Sequence, residues 1–184
     1  MQGEEKMQQT EFAILDFIQT HLRCETLDIF FPAVTSLSNH GEIWIVTALV
    51  LLAVKRYRQG WSVASALILD LVSCNMILKP LIARIRPCVV NAAAELLVAV
   101  PTDYSFPSGH TAASFAAVSA LYFSGSPHWK GAAVLASLIS FSRLYLYVHW
   151  PSDILGGMVL GLVAGWLGAR IVKYIMDKKT DGAR

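Results

Sequence analysis

Residues 154–175 read ILGGMVLGLVAGWLGARIVKYI, 22 residues whose only charges, Arg170 and Lys173, come near the end. About 20 largely apolar residues carry a helix across the hydrocarbon core of a bilayer, so this stretch predicts a transmembrane span. Gly156, Gly157, Gly161, Gly165 and Gly168 run along it, and the Gly157-x3-Gly161-x3-Gly165 spacing lets a second helix approach closely. Packing inside a bundle is the expected use of that stripe, with a homodimer through it the weaker option.

Four further apolar blocks lie upstream, at 41–54, 61–82, 111–123 and 131–148. The first and third are short, and flanking residues are expected to extend them. Residues 27–37 are a sixth candidate, interrupted by Pro32 and carrying Asp28: a short span or a half-inserted helix. Ahead of them, Phe12, Ile14, Leu15, Ile18 and Leu22 fall near helical spacing with Glu11, Asp16, Gln19 and Arg23 on other sides. That pattern fits an interfacial amphipathic helix or an ordinary packed one. The expected fold is all-α, a polytopic transmembrane helix bundle of five spans with a sixth short candidate and an N-terminal amphipathic helix. Residues 1–184 read as a single membrane-embedded domain, in which 1–25 form the amphipathic segment and 79–153 hold the chemistry.

Composition agrees with that solvent. The 184 residues are 55% hydrophobic and 15% charged, against about 25% charged in soluble domains. A net charge of +2 is too small and scattered for a nucleic-acid surface. Cys24, Cys74 and Cys88 stand in three separate segments and form neither a disulfide framework nor a zinc spacing; packing is their expected role. The first ten residues are polar and mixed in charge, unlike a cleavable signal peptide, so insertion is expected to rely on the internal spans.

Cytoplasmic loops are enriched in Lys and Arg. Lys55, Arg56 and Arg58, then Lys130, then Lys173, Lys178 and Lys179 fall on one side if five spans alternate. Lys79, Arg84, Arg86 and Arg143 then collect on the other side, against the usual bias, and anion binding would explain them. On that extracytoplasmic face three clusters meet: Lys79-x6-Arg86-Pro87; Pro107-Ser108-Gly109-His110; and Ser142-Arg143-x5-His149-x3-Asp153. In phosphoryl transfer the protein mainly positions the reactants and neutralises a spread-out charge. Arg86 and Arg143 can grip phosphate oxygens bidentately and Lys79 adds a point charge. Ser108 occupies an N-cap position, so its hydroxyl and the Gly109 amide could face the same phosphate. Either His110 or His149 could attack phosphorus or move protons. Asp153 could hold the proton of His149, although Pro151 suggests that the helix begins between them and leaves the contact unproven by spacing.

Together these motifs resemble the signature of the type-2 phosphatidic acid phosphatase family, which is related to bacterial acid phosphatases and vanadium haloperoxidases. All the signature positions are present, and the first forty residues match only loosely. The resemblance implies a metal-independent phosphatase with no cofactor, and it assigns the direction of attack. His149 is the nucleophile of a two-step reaction through phosphohistidine. His110 is the acid and then the base, with Asp153 behind His149. Lys79, Arg86, Ser108, Gly109 and Arg143 bind the phosphate. The implied substrate is a lipid phosphate (undecaprenyl diphosphate, phosphatidylglycerol phosphate or phosphatidate), and the implied place is a plasma membrane, with bacterial members in view. A catalytically silent lipid-binding or flipping protein of the same fold is the alternative, and a haloperoxidase a third.

Blander readings hold for other residues. Arg84 could assist binding but is not required by the signature. Asp70, inside a span, needs a partner such as Asn75, Ser73 or a tyrosine. Tyr145 and Tyr147 could line the site. The five tryptophans read mostly as interface anchors, and His21, His40 and His128 as surface or cap residues. Residues 88–104, with Glu95 and Asp103 flanking an apolar stretch, are expected to form a lid or head-group wall.

Overall fold

The computed structural model describes residues 2–181 and is helical throughout its regular structure. Helix α1 spans Gln2–Leu22 and α2 Glu25–Ser36; α3 spans Glu42–Ala53. Next, α4 (Tyr57–Asp70) runs on through a wide-turned π-helical segment, Leu71–Leu78, into α5 (Lys79–Ile82). After one turn at α6 (Pro87–Val90) and a long loop come α7 (Gly109–Phe123), α8 (Trp129–Tyr145) and α9 (Pro151–Asp181). Two apolar helical runs, Tyr57–Val90 and Pro151–Lys179, are long enough to cross a membrane, and Glu42–Ala53 is a shorter apolar helix.

All five apolar blocks form helices, but the two short ones stay short. Helix α3 ends where Lys55 takes a left-handed backbone (φ 63°), and α7 stops before Gly125 (φ 79°). At 1.5 Å per residue they reach only about 18 and 22 Å; flanking residues add nothing to the first block and only Gly109 and His110 to the third. Each stops at a residue that leaves helical geometry.

Helices α7 and α9 form the centre, and the glycine stripe explains how. A Cβ on Gly157 would stand 2.7 Å from the Ser108 carbonyl oxygen, one on Gly161 2.3 Å from that of Ala112, and one on Gly165 2.4 Å from that of Ala116. Successive glycines thus meet successive turns of α7 backbone, while Gly168 lies against Ala66 of α4. The stripe works inside the bundle, as the first of its two expected uses. Val63, Ala66, Ala117, Leu121, Ile139 and Ala164 fill the core around this seam. Trp44 belongs to that core and donates to Ser114 Oγ (3.0 Å). Trp150 is buried too, so these two are packing residues rather than interface anchors; Trp61 and Trp166 are exposed.

Helices α1 and α2 lie across one end of the bundle. Asp28 and Thr35, near opposite ends of α2, both bond to the last turn of α8, at Tyr145 Oη and Arg143 Nη1. Phe31, between them, packs on Phe141 and Tyr145, so α2 lies against the C-terminal end of α8. In α1, Leu15 and Ile18 pack beneath the helix while Ile14, Phe17 and Leu22 stay exposed. Two of its polar residues also bond inward: Asp16 accepts from Tyr147 Oη (2.8 Å) and Gln19 donates to the Tyr145 carbonyl (2.7 Å). Cys74 and Cys88 are buried as expected, whereas Cys24 is exposed.

Candidate active site

The three motifs converge at the end covered by α1 and α2. Each of the two spaced motifs contains a residue with positive φ, Ala83 (49°) between Lys79 and Arg86 and Tyr147 (60°) between Arg143 and His149. Non-glycine residues enter that region at a cost of about 1–3 kcal/mol. These bends turn the chain off the helix end and bring Arg86 and His149 back over it.

Lys79, Arg86, Gly109, His110, Arg143 and His149 line one cavity of about 1040 Å³. Between α3 and α4 the same cavity is walled by Ile45, Leu49, Leu52, Leu67, Ile68 and Leu71. Arg86 is buried and forked: Nη1 donates to the Val148 carbonyl (2.8 Å) and Nη2 to the Asp103 carboxylate (2.7 Å). Lys79 Nζ pairs with the same carboxylate. Arg143 Nη1 donates to Thr35 Oγ1 (2.7 Å), and its Nε is buried without a hydrogen-bond partner among the described residues. His110 Nε2 lies 3.4 Å from Asn39 Oδ1.

His149 has a defined tautomer. Its Nε2 lies 3.0 Å from Arg86 Nη1, and because a guanidinium can only donate, Nε2 must carry the lone pair. The ring proton is therefore on Nδ1, which faces Asp153 Oδ2 at 3.2 Å. Burial is the main force holding the imidazole well below its usual range, followed by the charges of Arg86, Arg143 and Lys79, with Asp103 opposing. The ring is neutral at neutral pH, with Nε2 turned to the cations.

Helix α9 begins at Pro151, as the sequence suggested, and Asp153 sits in its first turn. Its Oδ2 accepts from the Trp150 amide (2.8 Å), reaching back as the third residue of a capping box does, and also from Ser105 Oγ. The Ser108 amide donates to the Asp153 carbonyl (3.1 Å), tying the second motif to the third. Ser108 is the N-cap residue of α7 by position, but its side chain makes no capping bond. Its hydroxyl accepts from Thr111 Oγ1 (3.1 Å), and the residue is fully buried behind the cavity rather than lining it.

Other expectations are corrected. Arg84 does not line the cavity: it donates to Asp153 Oδ1 (2.7 Å), Ser152 Oγ (2.6 Å) and Glu11. Tyr145 and Tyr147 point their hydroxyls at Asp28 and Asp16, away from the cavity. Among the described residues Asp70 bonds none of its expected partners: Ser73 Oγ bonds main-chain carbonyls, while Asp70 lines the cavity, buried, with Oδ1 unpartnered.

Asp103, read from sequence only as a flank of the 88–104 loop, occupies the middle of the cation cluster. Burial disfavours its ionised form, yet hydrogen bonds and charge from Lys79 and Arg86 outweigh that and hold its carboxyl down at about 2. An acidic residue just before the Pro-Ser-Gly-His motif was the available signal.

Residues 59–177 match the PAP2 superfamily. The chain is 35% identical over 149 residues to an undecaprenyl-diphosphatase of Sulfolobus acidocaldarius, covering 79% of this chain and 72% of that protein. It is 34% identical over 133 residues to the decaprenylphosphoryl-5-phosphoribose phosphatase of Mycobacterium tuberculosis, covering 70% and 73%. Among solved structures, the PAP2-type phosphatidylglycerolphosphate phosphatase of Bacillus subtilis superposes with a TM-score of 0.73 at 26% identity, over 93% of this chain and 86% of that one. LpxE of Aquifex aeolicus does so with a TM-score of 0.73 at 25% identity, over 86% and 94%. Motifs, relatives and fold lead to one assignment: the chain belongs to the PAP2 superfamily.

Proposed function

We propose that the protein is an integral-membrane lipid phosphate phosphatase working through phosphohistidine without a metal ion. The cavity carries the reading: three cations and two histidines at one end, apolar side chains of α3 and α4 along the other. A phosphate head on a hydrocarbon tail has that shape, and sites of this kind use a few placed polar groups within an apolar wall.

In this reading the phosphate displaces the Asp103 carboxylate from Lys79 and Arg86, and Arg143 Nε supplies a further donor. His149 Nε2 attacks phosphorus, the bond to the leaving oxygen breaks, and His110 gives that oxygen a proton. Water then attacks phosphorus, giving a proton to His110 as base, and the phosphorus–nitrogen bond breaks, releasing inorganic phosphate and restoring Nε2. Asp153 stabilises the imidazolium that forms in between. The Gly109 amide adds a donor at the start of α7, and Ser108 supports it from behind.

The chain is proposed to cross a plasma membrane five times as one domain, with the site on the extracytoplasmic side. Lys55, Arg56, Lys130 and Lys178 all lie toward the opposite end of the helices, in keeping with the charge bias. The prenyl-linked substrates in the names of two relatives favour undecaprenyl diphosphate over phosphatidylglycerol phosphate or phosphatidate. Phosphate release from these three lipids, measured with chelator present, tests the reading. Release from at least one is expected, and His149→Ala should abolish it while the protein stays folded; full turnover by that variant would remove the nucleophile.

A further inference from the structure

Among the described side chains of α1, Glu11 is the acidic residue buried beneath the helix, and its two oxygens meet the start of α9 and Arg84 together. Oε1 accepts from the Ser152 amide (2.9 Å) and from Ser152 Oγ (2.6 Å), while Oε2 pairs with Arg84 Nη2. The other arm of the guanidinium, Nη1, donates to Asp153 Oδ1. Arg84 lies 5.2 Å from the centre of the Trp150 ring, and Phe12 of α1 packs on that ring edge-on at 4.7 Å. A chain of alternating charge thus runs Glu11, Arg84, Asp153, His149, away from the cavity and into the N-terminal helix.

We propose that Arg84 and Glu11 are positioning residues for the reaction, holding Asp153 in place and balancing its charge, so that α1 belongs to the catalytic apparatus. Arg84 fixes the carboxylate so that Oδ2 faces His149 Nδ1. Alone, that cation would also draw on the negative charge that must stabilise the imidazolium, and Glu11 offsets it. The proposal rests on the reading that Asp153 serves His149 as nucleophile. The other charged or titratable groups facing His149 are Arg86, Lys79, Arg143, Asp103 and His110, and the variants below leave all five in place.

The test is the pH dependence of kcat/KM for the full chain in detergent, with farnesyl diphosphate as substrate. The acid limb follows protonation of His149. Removing a negative charge in Glu11→Gln should move that limb down, and removing a positive one in Arg84→Gln should move it up, each by about half a unit to one unit. The double variant should return close to the wild-type position, because the two charges are lost together, and Arg84→Lys should recover most of the single-variant shift. A purely structural role would lower activity without opposite shifts. Coincident limbs in all four variants, or shifts of the same sign, would overturn the proposal. Asp153→Asn is run beside them. If it is fully active, the underlying reading of His149 fails; if it is inactive while the limbs stay still, only the role of Glu11 and Arg84 fails.

Discussion

Asp103 and Asp153 are both carboxylates bound by the basic residues of one site, yet their surroundings are opposites. The Asp103 side chain is 51% exposed, and its carboxylate partners are Lys79 and Arg86, both of which line the cavity. The Asp153 side chain is fully buried, and it bonds Arg84, Ser105, the Trp150 amide and His149, of which only the last faces the cavity. A ligand carrying negative charge can replace the first carboxylate at each of its contacts. Nothing entering the cavity can replace the second. One acid therefore pairs the cations that line the cavity, and the other, in the proposed reaction, holds His149 throughout.

Neutralising each acid should then have opposite consequences. The largest effect is expected for Asp153→Asn, which keeps the shape but loses one acceptor oxygen and the negative charge beside the imidazole: kcat should fall about 10³- to 10⁴-fold with KM changed little, measured by steady-state phosphate release. A loss confined to KM would place Asp153 in binding instead. Asp103→Asn should do the reverse, freeing two cations and lowering KM for a lipid phosphate about 3- to 10-fold, since an occupied site discounts apparent affinity by the fraction available. A raised KM would show that Asp103 helps hold the substrate.

The smallest effect is on stability against pH. Native Asp103 ionises from about pH 2 upward, whereas the same group in an unfolded chain ionises near pH 3.9. Its contribution is therefore complete above the higher value and disappears as pH falls through the lower one. The melting temperature of the wild type should exceed that of Asp103→Asn at pH 5, and the two should converge toward pH 2. A gap that persists at pH 2 would mean that the carboxylate acts through shape and not charge.

The same contrast separates what the sequence shows from what it hides. Lys79, Arg86, His110, Arg143 and His149 were legible as a set, because three spaced motifs fall at one end of the apolar blocks; taken singly, Lys79 reads as a snorkelling lysine, Arg86 as an anchor and each histidine as structural. Pro151 announced the start of α9. Arg84, Thr35 and Asp103 were not legible as partners, because pairing depends on how the helices fold back. Glu11 meets Arg84 across 73 positions, and Thr35 meets Arg143 across 108. For Glu11 a signal did exist: it stands four residues before Leu15 and seven before Ile18, on the buried face of α1. Reading it as part of a solvated face missed that an acid on a packed stripe requires a cation. Helix α2 was ambiguous because twelve residues with an internal proline fit a short crossing and a half-inserted helix equally well.

The glycine contacts between α7 and α9 have a consequence for traffic through the site. With backbone lying on backbone at three successive turns, the helices that begin at Gly109 and Pro151 behave as one stiff spine, and His110 and His149 beside those starts keep their separation whatever the lipid does. A bulky tail cannot part that seam. It has to come and go past the yielding flank of α3 and α4, where side chains instead of main chain form the wall, so chain length would be sensed by how far that flank can bend.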